Sequence, residues 1–224
     1  MKIIGLIPAR GGSKGIPRKN LSPFADTTLL GHKISQALLS ACTEVWVSTE
    51  DDEIKTEARK CGASVIDRPM DLSLDESSTD SMINHAVRYL RCDPGDIVVL
   101  LQATSPLIKI ESIDSTIHAL VSNQELNSVI TVRESHPFMW TTTDDSLWDP
   151  KGHSRISRPR RQDLLRSGWE TGGCYAIRVS AILEQQVRYP SPTGCVGVTH
   201  LEAIDIDTLE DLSTSQQVFE ALAD

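Results

Sequence analysis

Five apolar residues in a row, Ile97-Val98-Val99-Leu100-Leu101, follow Asp96 and give way at once to Gln102. A strand with one face in water alternates apolar and polar residues. One that does not alternate over a strand's length must be covered on both faces, as in a parallel sheet between helices. The surrounding chain supplies such a sheet. Lys2 to Ile7, Glu44 to Ser48, Ser64 to Ile66 and Ser128 to Val132 read as further strands. Between them, Leu29, Leu30, Ile34, Ala37, Leu38 and Ala41 recur at helical spacing behind the polar start Asp26-Thr27-Thr28, and Asp51 to Lys60 reads as a polar helix. Ile83, Ala86, Val87 and Leu90, then Ile113, Ile117 and Leu120, mark two more helices. The alternation predicts an α/β fold of three layers, a mainly parallel sheet with helices on both faces. Its ligand site belongs at the carboxyl ends of the strands.

Residues 1–224 read as one domain with an excursion at 134–169, where the alternation stops. That segment holds Pro137, Pro150 and Pro159, three of the four tryptophans, and the basic cluster Arg155, Arg158, Arg160, Arg161 and Arg166. A loop-rich segment of this length is expected to be an interface or a substrate lid. Order resumes with a strand at Cys174 to Val179, a short helix at Ile182 to Val187, and a terminal helix carrying Leu209, Leu212, Val218, Phe219 and Leu222.

Composition narrows the function. The net charge of -9 argues against a nucleic-acid binder, which needs a basic stripe to neutralise many phosphates. The first apolar run ends at Pro8, too short for a signal peptide or a membrane span, so a cytoplasmic protein is expected. Five widely spaced cysteines without a C-x-x-C pair indicate neither zinc nor disulfides and are expected to be mostly buried thiols. No histidine pair has metal-binding spacing, and no G-x-S-x-G elbow supports a hydrolase.

Against this acidic background, the first strand runs into Pro8-Ala9-Arg10-Gly11-Gly12-Ser13-Lys14-Gly15-Ile16-Pro17-Arg18-Lys19-Asn20. Glycines let backbone N–H groups approach an anion, and Arg10, Lys14, Arg18 and Lys19 surround it with charge. The loop matches neither the Walker nor the dinucleotide pattern. A basic surface turn would have the same composition, but the position after the first strand favours a polyphosphate ligand.

Two other motifs fall where a sheet would present them. Asp205 and Asp207, two residues apart on an extended segment, project to one side and can share a divalent ion. Asp207 before Thr208-Leu209-Glu210 also reads as a helix cap, whereas Asp205, between two isoleucines, needs a partner. Gln102-Ala103-Thr104-Ser105 ends the most apolar strand, where polar side chains meet ligand. The acidic run Glu50-Asp51-Asp52-Glu53 is expected to do no more than cap the following helix.

Taken in order, Ile7-Pro8-Ala9-Arg10-Gly11-Gly12-Ser13-Lys14-Gly15, Lys19-Asn20-Leu21, Leu101 to Leu107, and Ile204-Asp205-Ile206-Asp207 resemble the acylneuraminate cytidylyltransferases, the CMP-sialic acid synthetases. Leu29-Leu30-Gly31-His32, Val47-Ser48-Thr49 and Arg68-Pro69 are smaller matches. The resemblance implies a nucleotide-diphospho-sugar-transferase-like fold and a Mg²⁺-dependent transfer of CMP from CTP to the anomeric hydroxyl of a nonulosonic acid. Pyrophosphate is released and the sugar is activated for glycan biosynthesis. By the same resemblance Ala9, Arg10, Gly11, Gly12, Ser13, Lys14, Lys19 and Asn20 hold the nucleotide and its triphosphate. Arg68 and Thr79, or Ser77 and Ser78 in place of Thr79, lie near the cytosine. Asp205 and Asp207 bind the metal.

Gln102 matches the junction of nucleotide and sugar, with Thr104 and Ser105 beside it. Arg10, Lys14, Lys19, Gln102 and Asp207 are the implied catalytic set. Trp169-Glu170-Thr171-Gly172-Gly173-Cys174-Tyr175 resembles the family's E-N-G-A-x-Y, which implies that Thr171, Gly172 and Tyr175 lie by the sugar, with Thr171 in place of Asn and Gly173 in place of Ala. Where bacterial sialate enzymes carry paired phenylalanines, this chain has Arg188 and Tyr189, which favours a differently substituted or more polar sugar. The family is typically homodimeric. The resemblance therefore implies that 134–169 reaches a neighbouring subunit and brings Arg155, Arg160 or Arg166 toward its site. Within the same fold, a sugar-1-phosphate nucleotidyltransferase is the alternative enzyme. A non-catalytic nucleotide-binding module would not need the acidic pair.

Overall fold

A computed structural model describes residues 1–13, 15–74, 76–135, 138–144, 146–157, 159–163 and 167–223. Lys14, Arg158 and Arg166 lie outside the described residues. The strands are β1 (Ile3–Pro8), β2 (Pro23–Phe24), β3 (Thr27–Thr28), β4 (Glu44–Thr49), β5 (Ser64–Asp67), β6 (Ile97–Leu101), β7 (Ser128–Ser135), β8 (Met139–Asp144), β9 (Leu147–Lys151), β10 (Ser167–Arg178) and β11 (Thr193–Gly197). The helices are α1 (Leu29–Leu39), α2 (Asp52–Lys60), α3 (Thr79–Tyr89), α4 (Ile110–Ser122), α5 (Val179–Gln185) and α6 (Leu209–Ala223).

Seven strands form the central sheet in the order β11-β7-β10-β6-β1-β4-β5. β5, β4, β1 and β6 are mutually parallel, and β10 runs antiparallel to both of its neighbours. The pleat of β6 divides its apolar run between two cores. Ile97, Val99 and Leu101 pack with α1, α2 and α4, through residues such as Ile34, Ala58 and Ile117. Val98 and Leu100 pack with α3 and α5, through Met82, Ile83, Val87 and Ile182. Each such side chain contributes about 1.5–3 kcal/mol on burial, which is why this strand tolerates no polar position. A third cluster, Ile16, Phe24, Leu29, Leu107 and Ile206, joins the loop after β1 to the segment before α6.

Helix starts follow local capping chemistry. Thr28 accepts from Gly31 N–H at α1, Asp51 from Glu53 and Ile54 N–H at α2, and Ser78 from Ser81 N–H at α3.

The segment 134–169 differs from the loop-rich expectation. β7 extends to Ser135, β10 begins at Ser167, and β8 and β9 form a hairpin between them. The aromatic and β-branched run Trp140-Thr141-Thr142 favours a strand, and Pro150 is accommodated in a two-stranded edge opposite Trp140. The strand expected from Cys174 therefore starts seven residues earlier, and the helix expected at Ile182 starts at Val179. The thiols also depart from expectation: Cys174 is buried, Cys42, Cys61 and Cys92 are half-buried, and Cys195 is exposed. Among the described residues no helix is long and apolar enough to cross a membrane.

Candidate active site

A cavity of about 360 Å³ opens at the carboxyl ends of β1 and β6. Arg10, Ser13, Lys19 and Asn20 line it from the loop after β1, and Gln102 and Thr104 from the end of β6. Arg68, beyond β5, and Ser77, Ser78 and Thr79, at the start of α3, line a further part of its wall with Leu72, Leu74 and Met82. Asp205 and Asp207 complete the lining. Residues distant in sequence thus converge on one cavity.

Local bonding explains how the loop keeps its shape. Asn20 Nδ2 donates to the Arg10 carbonyl at 3.1 Å, and Ala9, fully buried, donates its N–H to Ser48 O at 3.1 Å. Gly11 N–H donates to Glu50 Oε1 at 2.7 Å, so a carboxylate of this protein already engages that amide. A Cβ on Gly12 would meet open space. Arg18, one of the four loop cations, faces away from the cavity and pairs with Asp51 and Glu53, which hold its pKa above the usual arginine range. The acidic run therefore does more than cap α2: it anchors the loop at Gly11 and Arg18. Glu50 was missed because a carboxylate next to a phosphate-like loop reads as a helix-start residue. Its signal is its place immediately after β4, at the functional edge of the sheet.

The acidic segment is seated by Ile206, which is fully buried and donates its N–H to Thr104 O at 2.8 Å. With Ile206 inward, Asp205 and Asp207 both reach the cavity. The competition over Asp207 is decided one residue later. Thr208 Oγ1 accepts the Asp211 N–H at 3.2 Å while the Asp211 carboxylate accepts the Thr208 N–H at 2.7 Å, a reciprocal capping box that leaves Asp207 free of that task. Asp207 Oδ1 is instead 3.1 Å from Lys19 Nζ. Asp205 accepts from Ser105 Oγ at 3.4 Å. Crowding by protein atoms raises its pKa, the Asp207 charge adds to this, and Thr104, Lys19 and Ser105 oppose it.

The residues implied for the sugar divide. Gly172 takes φ +73°, open to glycine, where the pairing of β10 with β7 shifts register, and a Cβ there would be 3.6 Å from Gln102 Nε2. Thr171 and Ser105 are buried, and Thr171 Oγ1 lies 2.7 Å from Thr131 Oγ1. Tyr175 is 1% exposed, and its hydroxyl donates to Glu170. Burial, followed by the Glu170 contact, raises its pKa. Arg188 and Tyr189 lie against the start of α3 and near enough to Tyr175 to act on its hydroxyl: Arg188 N–H donates to Asp80 Oδ1 at 3.0 Å, and its guanidinium lies 5.6 Å from the Tyr189 ring centre. Arg155 pairs with Asp149 at 2.7 Å and Arg160 with Asp163 at 2.8 Å, both inside the excursion.

Sequence and structure comparisons agree with this architecture. N-acylneuraminate cytidylyltransferase A of Danio rerio is 32% identical over 219 residues, 96% of this chain and 50% of that protein. The chain thus spans about half the length of this vertebrate relative. Pseudaminic acid cytidylyltransferase of Campylobacter jejuni is 28% identical over 228 residues, 98% of this chain and 97% of that protein. Among solved structures, a CMP:2-keto-3-deoxy-manno-octonic acid synthetase complexed with CTP superposes with a TM-score of 0.71 at 19% identity, covering 99% of this chain and 100% of that one. The fold is accordingly of the nucleotide-diphospho-sugar transferase type. The family model described as cytidylyltransferase matches residues 4–151, well over half of the sequence and including the loop, Arg68 and Gln102, and the chain belongs to that family.

Proposed function

We propose that this protein transfers CMP from CTP to the anomeric hydroxyl of a nonulosonic acid, releasing pyrophosphate and so activating the sugar for glycan biosynthesis. The observation that carries this reading is the convergence of Arg10, Ser13 and Lys19 with Gln102, Asp205 and Asp207 on one cavity. Family membership and relatives named for N-acylneuraminate and pseudaminic acid support it.

In this assignment Arg10, Ser13 and Lys19, with Lys14, take the triphosphate. Arg68 and Thr79 take the cytosine. Arg68 lines the cavity, is 8% exposed and donates to Ser48 O, which seats its guanidinium in the wall that would meet the base. Gln102, Thr104 and Gly172 form the sugar end, next to the α-phosphate. The sugar hydroxyl oxygen bonds to the α-phosphorus as the bond to the pyrophosphate bridging oxygen breaks, and the hydroxyl proton passes to solvent. Charge growing on the phosphoryl oxygens meets Arg10 and Lys19, the latter held in place before reaction by Ile206 O and Asp207.

The donor set fits Mg²⁺. Asp205 and Asp207 are hard oxygen ligands on one cavity wall, and the raised pKa of Asp205 is what a nearby cation would relieve. When bound, the ion supplies positive charge against the nucleotide phosphates.

A homodimer and a cytoplasmic location belong to the same reading. Trp140, Leu147, Trp148, Ile156 and Trp169 are all exposed on the excursion or its root, an apolar surface suited to a second copy.

The test is to incubate the protein with CTP, Mg²⁺ and a panel of nonulosonic acids, and to identify the CMP conjugate by mass alongside pyrophosphate release. UTP or GTP with sugar 1-phosphates forms the opposing arm. Turnover only in that arm would overturn the assignment. Light scattering on the same sample tests the dimer.

A further inference from the structure

Lys33 lies in the middle of α1 with no exposed surface, among Leu29, Leu30, Ile34 and Ala37 on the apolar side of the helix. A lysine is rarely so deeply enclosed, because the interior disfavours its charge. Its partners explain the placement. Lys33 Nζ donates to Ser105 O at 2.9 Å and to Gln36 Oε1 at 2.6 Å. Gln36 Nε2 donates onward to Pro106 O at 2.9 Å and Ile108 O at 2.7 Å, and His32 Nε2 is 3.1 Å from Pro106 O. Three side chains of one helix thus engage the main-chain carbonyls of the turn between β6 and α4.

The other side of this turn is the candidate site. Gln102 and Thr104 line the cavity, Ser105 Oγ donates to Asp205, and Thr104 O accepts Ile206 N–H. Ser105 therefore links the buried amine to an acidic residue of the cavity, with its carbonyl on Lys33 and its hydroxyl on Asp205. A turn rich in carbonyls and interrupted by Pro106 cannot satisfy itself, and an apolar residue at position 33 would leave the Ser105 carbonyl buried without a donor.

We propose that Lys33 is a positioning residue for CMP transfer: through Ser105 it fixes the turn that aims Gln102, Thr104 and Asp205. The assignment rests on the functional reading above. It predicts an effect on turnover rather than on nucleotide capture, since Arg10, Lys19 and Arg68 sit on other elements.

In the full chain, Lys33→Met should lower kcat on the order of 10- to 100-fold, the scale of a displaced reacting group, while CTP affinity by calorimetry changes by no more than about two-fold. Lys33→Gln, which can still donate to Ser105 O, should recover most of the loss. Hydrogen exchange supplies a readout independent of activity. The Ile206 amide, bonded to Thr104 O, should exchange faster in Lys33→Met than in wild type, with no change at the Ile97–Leu101 strand. Should Lys33→Met not fold, Gln36→Leu, which removes the donors to Pro106 O and Ile108 O and an acceptor of the Lys33 amine without touching the cavity lining, loosens the same turn and should lower kcat in the same way. Unchanged kcat and unchanged Ile206 protection in a folded Lys33→Met would overturn the proposal, as would a parallel loss of CTP affinity. Absence of CTP turnover in wild type would instead count against the functional reading, and the exchange comparison would still decide the role of Lys33.

Discussion

Lys19 Nζ donates to the carbonyl of Ile206 at 2.5 Å and stands 3.1 Å from the carboxylate of Asp207, tying the loop after β1 to the segment before α6. The two residues are 188 positions apart, and the lysine side chain is only 11% exposed. A cation needed for phosphate and a carboxylate needed for metal thus hold each other in register before either meets a ligand.

Replacing Asp207 by Asn removes a charge but keeps the shape. Thr208 and Asp211 cap α6 without it, so the fold should persist, with a melting temperature close to wild type. CMP transfer at saturating Mg²⁺ should be abolished, and a wild-type rate of pyrophosphate release in the variant would sink the metal assignment.

Gly15 lies against the same segment: a Cβ there would overlap the carbonyl oxygen of Asp207. Backbone cannot yield as a flexible side chain can, so Gly15→Ala should push the loop off the acidic pair. Transfer should fall on the order of 100-fold, the cost of about 1 Å of misplacement, with circular dichroism unchanged. Steady-state kinetics on the alanine variant check it, and activity within two-fold of wild type would show that the contact carries no positional information.

Lys33 also gives a pH signature. Burial lowers its amine from 10.5 to about 7, whereas the unfolded chain keeps the ordinary value. Between these pH values the unfolded state binds the extra proton, so this group makes stability rise with pH. Its full cost is present below about pH 7 and disappears by about 10.5. In the folded protein the facing groups titrate outside this window, His32 lowered by burial and Cys174 pushed up to about 12, and the unfolded Cys174 thiol, which ionises near 9.0, does so alike in wild type and variant. Lys33→Met should remove this pH dependence. The stability of wild type relative to the variant, from denaturant melts, should increase between pH 7 and 10 by up to about 3–4 kcal/mol. A flat difference would mean that the amine stays charged in the fold.

The α/β architecture was legible because burial on both faces leaves a mark in one dimension: Ile97 to Leu101 cannot be read as a half-exposed strand, and the helices beside it repeat at their own period. The cationic loop and the Asp205/Asp207 pair were legible for a similar reason, since each gathers its chemistry within a few residues. Edge elements left a weaker mark. β11, Thr193-Gly194-Cys195-Val196-Gly197, has two glycines and no apolar run, and its pairing with β7 identifies it as a strand. The hairpin of β8 and β9 was hidden by Pro150, which a two-stranded edge accommodates.

The contacts that cross the chain were beyond reach of any local pattern. Glu50 on Gly11, Arg18 on Asp51, Lys19 on Asp207 and Lys33 on Ser105 span 33 to 188 residues. Which loop cation faces the cavity and which faces the acidic run depends on where β1 and β4 end side by side. Local spacing established the kinds of groups this protein brings to a nucleotide; the packing of separate strand ends selected which of them share a cavity, because hydrogen bonds and ion pairs form between neighbours in space.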